Sequence, residues 1–103
     1  MTNGSALELD IQGTLMTKAA LTIRAVNHKL RQQILQLIHA NGRMTVKEIY
    51  VKLRLEQSVA SQHLAILRKA GFVVTERDGK FIYYSVDHNR LAEVHKIAAE
   101  LLK

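Results

Sequence analysis

The most informative segment of the chain, residues 45–71, is TVKEIYVKLRLEQSVASQHLAILRKAG. Its pattern is that of two short helices joined by a tight connection. Thr45 and Glu48 stand at capping-box spacing, in which each side chain satisfies an orphan N–H at a helix start. Ile49 and Leu53 then give an i, i+4 apolar stripe. The second helix is expected from near Ser58 to Gly71, a glycine placed where helices end in a left-handed residue.

The second helix has two chemically different faces. At about 100° per residue, Ala60, Leu64 and Leu67 share one narrow sector and belong to a core. Ser58, Ser61, Gln62, Ala65, Arg68 and Lys69 lie opposite, bringing small hydroxyls, one amide, two cations and no acid. Such a surface suits a helix lying in the major groove of double-stranded DNA. Small side chains allow close approach, and polar ones meet base edges and phosphates. An ordinary solvated face is polar too, so the helix alone leaves the two readings level.

The next residues shift the balance. Residues 72–86, FVVTERDGKFIYYSV, form two β-rich runs, with Asp78-Gly79 where a two-residue hairpin turn would sit. A helix pair followed at once by a hairpin is the order of a helix-turn-helix with a wing. Arg77 and Lys80 flank the expected turn and would offer two cations to a phosphate backbone.

The run from Gln57 to Val86 resembles the core signature of the ArsR/SmtB family of bacterial winged-helix repressors. The residues that carry the likeness are Ser61-x-His63-Leu64 in the recognition helix, Arg68-x-x-Gly71-Phe72-Val73 at its exit, and Tyr84-Ser85 closing the wing. The helix through Arg31, Ile34, Leu35 and Ile38 also matches, although Asn27-His28 replaces the family's usual Asp-Pro entry. The likeness extends over roughly residues 20–100. It implies a homodimeric DNA-binding regulator whose affinity an effector ligand changes; nothing in the sequence names that effector.

Composition agrees with one mostly helical domain. The chain has 103 residues, 48% of them apolar, and no proline. A core of that size is modest, and burial in a dimer would supplement it. The net charge of +6 points to a polyanionic partner, and no Asp or Glu falls between Asp10 and Glu48. The absence of cysteine excludes disulfides, thiolate metal sites and thiol redox sensing. No apolar run reaches membrane-spanning length and no signal-peptide pattern opens the chain, so a cytoplasmic protein is expected.

Outward from the motif, residues 1–5 have the composition of a frayed tail. Residues 6–26 have a helical pattern that is apolar on more than one face, as if the helix served both its own core and a second copy. Asn27 is expected to cap the next helix, which Asn41-Gly42 ends, with Leu30, Ile34, Leu37 and Ile38 as its core stripe. Residues 43–45 are placed to pair as a short strand with the wing. Asp87 should cap a last helix over 87–102, with Val86 and Leu91 at hydrophobic-staple spacing. The family resemblance implies that this helix and the first form the dimer interface.

A metal site would have to use histidines. Aligned through Tyr84-Ser85 on the family's interfacial zinc pattern, His88 takes an Asp position and Arg90 and Leu101 take His positions, so that site is not present. His88 and His95 share a helical face two turns apart, about 10 Å, too far to chelate one ion within a helix. His63 is expected to pack against a neighbouring helix, and His28 and His39 have no spacing signal. Ser61 and His63 point in different directions and cannot act as nucleophile and base. No phosphate-binding glycine loop or acidic pair occurs, so neither catalysis nor a cofactor is expected.

The sequence therefore leads to a mainly α fold with a small β-wing, a winged helix-turn-helix over residues 1–103 that dimerises through helices 6–26 and 87–102. Its expected function is transcriptional repression at an inverted-repeat operator. Gln57, Ser58, Ser61 and Gln62 are expected to approach bases, and Arg68, Lys69, Arg77 and Lys80 to neutralise phosphates. Two alternatives stay open at this point. One is a metal-responsive regulator with a histidine site across the dimer interface; the other is a winged-helix module that binds protein instead of DNA.

Overall fold

A computed structural model describes residues 13–103. Its elements run α1 (Thr14–Val26), α2 (Lys29–Asn41), α3 (Val46–Leu53), α4 (Gln57–Lys69), β1 (Val73–Asp78), β2 (Phe81–Val86) and α5 (His88–Leu101). The tail expected over 1–5 and the first part of the helix expected over 6–26 lie outside the described residues.

The helix-turn-helix forms where the sequence pattern put it. Thr45 Oγ1 accepts the Glu48 N–H at 3.2 Å, and Glu48 Oε1 accepts the Thr45 N–H at 2.8 Å, completing the capping box. Three residues, Arg54 to Glu56, join α3 to α4. No glycine is available there, so Arg54 itself takes the left-handed conformation, with φ 56° and ψ 47°. α4 begins at Gln57, one residue before the expected start, because Glu56 in extended backbone takes the cap position. At the far end the Phe72 N–H bonds to Leu67 O and the Gly71 N–H to Arg68 O, with φ +87° at Gly71. That is a Schellman closure, and it turns the chain directly into β1.

The wing differs from expectation by one residue. Val73 pairs with Val86 and Asp78 with Phe81, so the two-residue turn is Gly79-Lys80, not Asp78-Gly79. Two constraints set this register. Val73 and Val86 are both buried at the base of the hairpin, which fixes them opposite one another. Gly79, at φ +64°, supplies the positive φ that a primed turn needs at its first central position. Lys80 therefore sits within the turn instead of flanking it. Met44 bonds to Tyr84 through both backbone groups, which adds the short third pairing expected for residues 43–45.

α2 starts differently from expectation. Asn27 closes α1, its N–H bonded to Ile23 O at 3.0 Å. The N-cap of α2 is His28, whose Nδ1 accepts the N–H groups of Leu30 and Arg31. Asp87 caps α5 as expected, accepting the Arg90 N–H at 3.0 Å. Val86 and Leu91 both pack on the core, as a hydrophobic staple requires.

One core ties these elements together. Ile34 and Ile38 of α2, Ile49 of α3, Leu64 and Leu67 of α4, Phe72 and Val73 are fully enclosed. Val94 of α5 and Ala25 of α1 join the same cluster from its edges. α4 thus buries one stripe on a rigid support and leaves the opposite stripe outward, which is what positions the candidate site.

Candidate nucleic-acid interface

Every residue expected on the outer face of α4 is exposed: Gln57, Ser58, Ser61, Gln62, Ala65, Arg68 and Lys69. From Ser58 to Lys69 they form one stripe about 16 Å long at 1.5 Å per residue, enough for several base steps. Ala60, Leu64 and Leu67 are buried on the opposite side, so the helix cannot rotate that stripe inward without exposing the core. The last member is shared between two surfaces. Lys69 also lines a cleft of about 510 Å³ with Lys18, Leu21, Ile66 and Arg90, between α1, α4 and α5.

His63 lies between the two faces and does not reach outward. Its ring is 4.9 Å from that of His28, and its Nδ1 is 3.1 Å from Arg31 Nη1. Arg31 is the one charged residue buried among the described residues, and the bonds around it explain why it can be. Its Nε donates to Ala25 O at 2.6 Å and its Nη2 to Arg24 O at 3.2 Å. Those carbonyls belong to the last turn of α1, the negative end of that helix dipole. Burial depresses the His63 pKa, and the positive charges of His28 and Arg31 depress it further. A neutral ring is also what the contact requires, because Nδ1 must accept from the guanidinium.

At the wing, Arg77 and Lys80 are exposed near the tip. Arg77 Nε donates to Gly79 O at 3.3 Å, bracing the turn, and Lys80 Nζ lies 5.5 Å from the Phe81 ring. The other face of the hairpin carries acids that a DNA-facing surface must contend with. Arg43 neutralises them. It pairs with Glu76 at 3.3 Å and Asp78 at 3.0 Å, while its guanidinium lies 3.9 Å from the Tyr83 ring centre. The hydrogen bond to Asp78 raises the Arg43 pKa and holds the group charged. Tyr84, alternating with Tyr83, packs instead on the core.

Sequence reading overlooked two members of this surface. Arg54, exposed in the turn between α3 and α4, adds a cation beside the start of α4. Arg43 acts on the wing from the segment between α2 and α3, and no local spacing links it to Glu76 or Asp78. Lys47 and Lys52 of α3 are exposed as well. Among the described residues no group of three or more His, Asp or Glu side chains is placed to hold a metal ion. No helix there is long and apolar enough to cross a membrane.

This geometry has counterparts in known proteins. The model of the bacterial regulatory protein, arsR family, matches residues 28–75, from the cap of α2 into β1. The HTH-type transcriptional regulator MJ1325 of Methanocaldococcus jannaschii is 37% identical over 82% of this chain and 94% of that protein. The transcriptional activator HlyU of Vibrio cholerae is 32% identical over 81% of this chain and 76% of its own length. Among solved structures, the transcriptional repressor PagR of Bacillus anthracis superposes with a TM-score of 0.66 at 26% identity, covering 82% of this chain and 97% of that one. Its match to the family model, these identities and a shared winged-helix architecture make the chain a member of the ArsR family of DNA-binding transcriptional regulators.

Proposed function

We propose that the protein is a homodimeric repressor that occupies an inverted-repeat operator in the cytoplasm, with α4 of each protomer in a major groove. The acid-free, exposed stripe of α4 carries this reading. Gln57, Ser58, Ser61 and Gln62 read base edges, while Arg68, Lys69, Arg77 and Lys80 bind phosphates together with Arg54. The two α4 helices of a two-fold dimer enter successive major grooves about 34 Å apart. Apolar side chains left exposed on α1 and α5 support dimerisation through those helices. Leu15, Leu21, Ile97 and Leu101 are each more than half exposed.

Repression is the simpler action, since occupancy of a promoter is sufficient for it. The likeness to the repressor PagR supports this sign, and the likeness to the activator HlyU supports the opposite one. A reporter driven by the protein's own upstream region separates them: repression requires that deleting the gene raise expression.

Binding is tested by fluorescence anisotropy on a duplex of that upstream region at several salt concentrations. The expected result is a dimer per site, affinity well above that for random duplex, and a steep fall in affinity with salt. Gln62→Ala should reduce the preference for the operator, whereas Arg68→Ala should weaken both duplexes alike and flatten the salt slope by about one. Binding no tighter than to random duplex would remove the operator reading and leave a protein partner for the exposed stripe.

A further inference from the structure

The five histidines are residues 28, 39, 63, 88 and 95, and the fold sorts them into two pairs and a singleton. His28 and His63 meet beside the buried Arg31 guanidinium, a cation that would repel a metal ion. The other pair is different. His39 lies in the last turn of α2 and His88 is the first residue of α5, and both rings are exposed. His39 Nδ1 is 2.9 Å from His88 Nε2, with ring centres 5.0 Å apart and planes inclined at 69°.

We propose that His39 and His88 form a chelating site for a borderline transition-metal dication of the Zn²⁺ type, bound through His39 Nδ1 and His88 Nε2. Two imidazoles on a tetrahedral ion, each about 2.0–2.1 Å from it, hold their nitrogens about 3.3 Å apart. The two nitrogens already face each other only slightly closer than that, on exposed side chains that are free to open by a few tenths of an ångström. Imidazole selects zinc, copper and nickel over magnesium and calcium, which prefer oxygen. Binding balances simply: the proton in the His–His contact moves to the outer nitrogen of the ring that donates it. Both inner lone pairs then bind the ion, and water fills the remaining positions.

The site bridges the negative end of α2 and the positive end of α5, so the two helix dipoles largely cancel and ligand chemistry decides occupancy. It lies within one chain, unlike an arrangement that pairs His88 with His95 across a two-fold axis. A bound ion would clamp the first turn of α5 to the end of α2, elements joined by residues 49 apart in sequence. Its effect is therefore on the stability of the protomer, and it holds or fails independently of DNA binding.

The test is thermal unfolding of the chelator-treated full chain, without DNA, in a non-coordinating buffer at pH 7.5, with zinc sulfate added. The midpoint should rise by roughly 10–20 °C at a hundredfold excess over the dissociation constant. The rise should persist in His95→Ala, and it should vanish in His39→Ala, in His88→Ala and with magnesium in place of zinc. No rise at millimolar zinc overturns the proposal. So does a rise that survives His39→Ala and His88→Ala, is lost in His95→Ala, or comes with zinc-driven association seen by light scattering. Should either alanine variant fail to fold, imidazole ¹⁵N shifts of the wild-type protein decide: zinc must move His39 and His88, and shifts confined to other histidines refute the site.

Discussion

Arg31 is the residue on which the junction of α1 and α2 depends. Its guanidinium satisfies the Ala25 and Arg24 carbonyls and holds the His63 ring, all without a carboxylate. Replacement by Met keeps most of the buried volume but leaves those carbonyls without donors. Arg31→Met should cost about 2–4 kcal/mol in urea unfolding, more than a surface arginine would. His63 adds a pH dependence of known sign. Its pKa is lower in the folded chain than the ordinary 6.5, so the unfolded chain binds more protons in that window. The stabilisation is complete above about pH 6.5 and is lost as the pH falls through that value towards the folded pKa. Urea unfolding of His63→Gln should therefore vary less between pH 7.5 and pH 5 than that of the wild type; an unchanged slope would mean His63 is not the group responsible. The period of α4 made its buried and exposed residues readable from the sequence, and placed His63 between them. Its partner could not be read, because Arg31 lies 32 residues away and only tertiary packing brings the two together.

At the scale of elements, local signals succeeded where one geometry satisfied them and failed where two did. The capping box at Thr45 and the glycine at residue 71 each have one solution. Asn27 and His28 both carry a side-chain acceptor, and the closure of α1 takes Asn27, leaving His28 to cap α2. Asp78-Gly79 and Gly79-Lys80 both place a glycine in a two-residue turn, and pairing of the buried Val73 with Val86 selects the second. Two predictions belong here. A Cβ at Gly71 would adopt φ +87° and meet Arg90 Nε at 3.3 Å, while Arg90 itself bonds to Ala70 O. Gly71→Ala should destabilise by at least about 1–2 kcal/mol, measured by thermal or urea unfolding. On the wing, Arg43→Ala should leave the unfolding midpoint nearly unchanged, since its ion pairs are exposed. It also frees Glu76 and Asp78, so DNA affinity should fall further than for Lys47→Ala, which removes a cation without uncovering acids. Equal losses in anisotropy titrations would show that the wing acids do not face the backbone.

The described chain is long for its size: it extends over 56 × 24 × 24 Å, with a radius of gyration of 16.7 Å where a compact chain of 100 residues has about 13 Å. Helices that project from a small core while exposing leucine and isoleucine need cover, and in the proposed dimer a second copy would provide it with self-complementary surface. Dimerisation would also supply what one α4 stripe lacks. A single recognition helix and wing contact one half-site, and linking two of them raises operator affinity by about 10²–10⁴ through effective concentration alone. Leu21→Glu combined with Leu101→Glu tests this arrangement. Both residues are largely exposed in the protomer, at 53% and 70%, so the core should survive, as the unfolding transition would show. Mass by light scattering should fall to that of a monomer, and operator affinity should fall by a similar factor of about 10²–10⁴, while the weak affinity of each protomer for random duplex stays. A variant that remains dimeric with unchanged operator binding would move the interface away from α1 and α5. It would then leave the apolar faces of those helices, and the cleft that Lys18, Lys69 and Arg90 line beside them, to a different occupant.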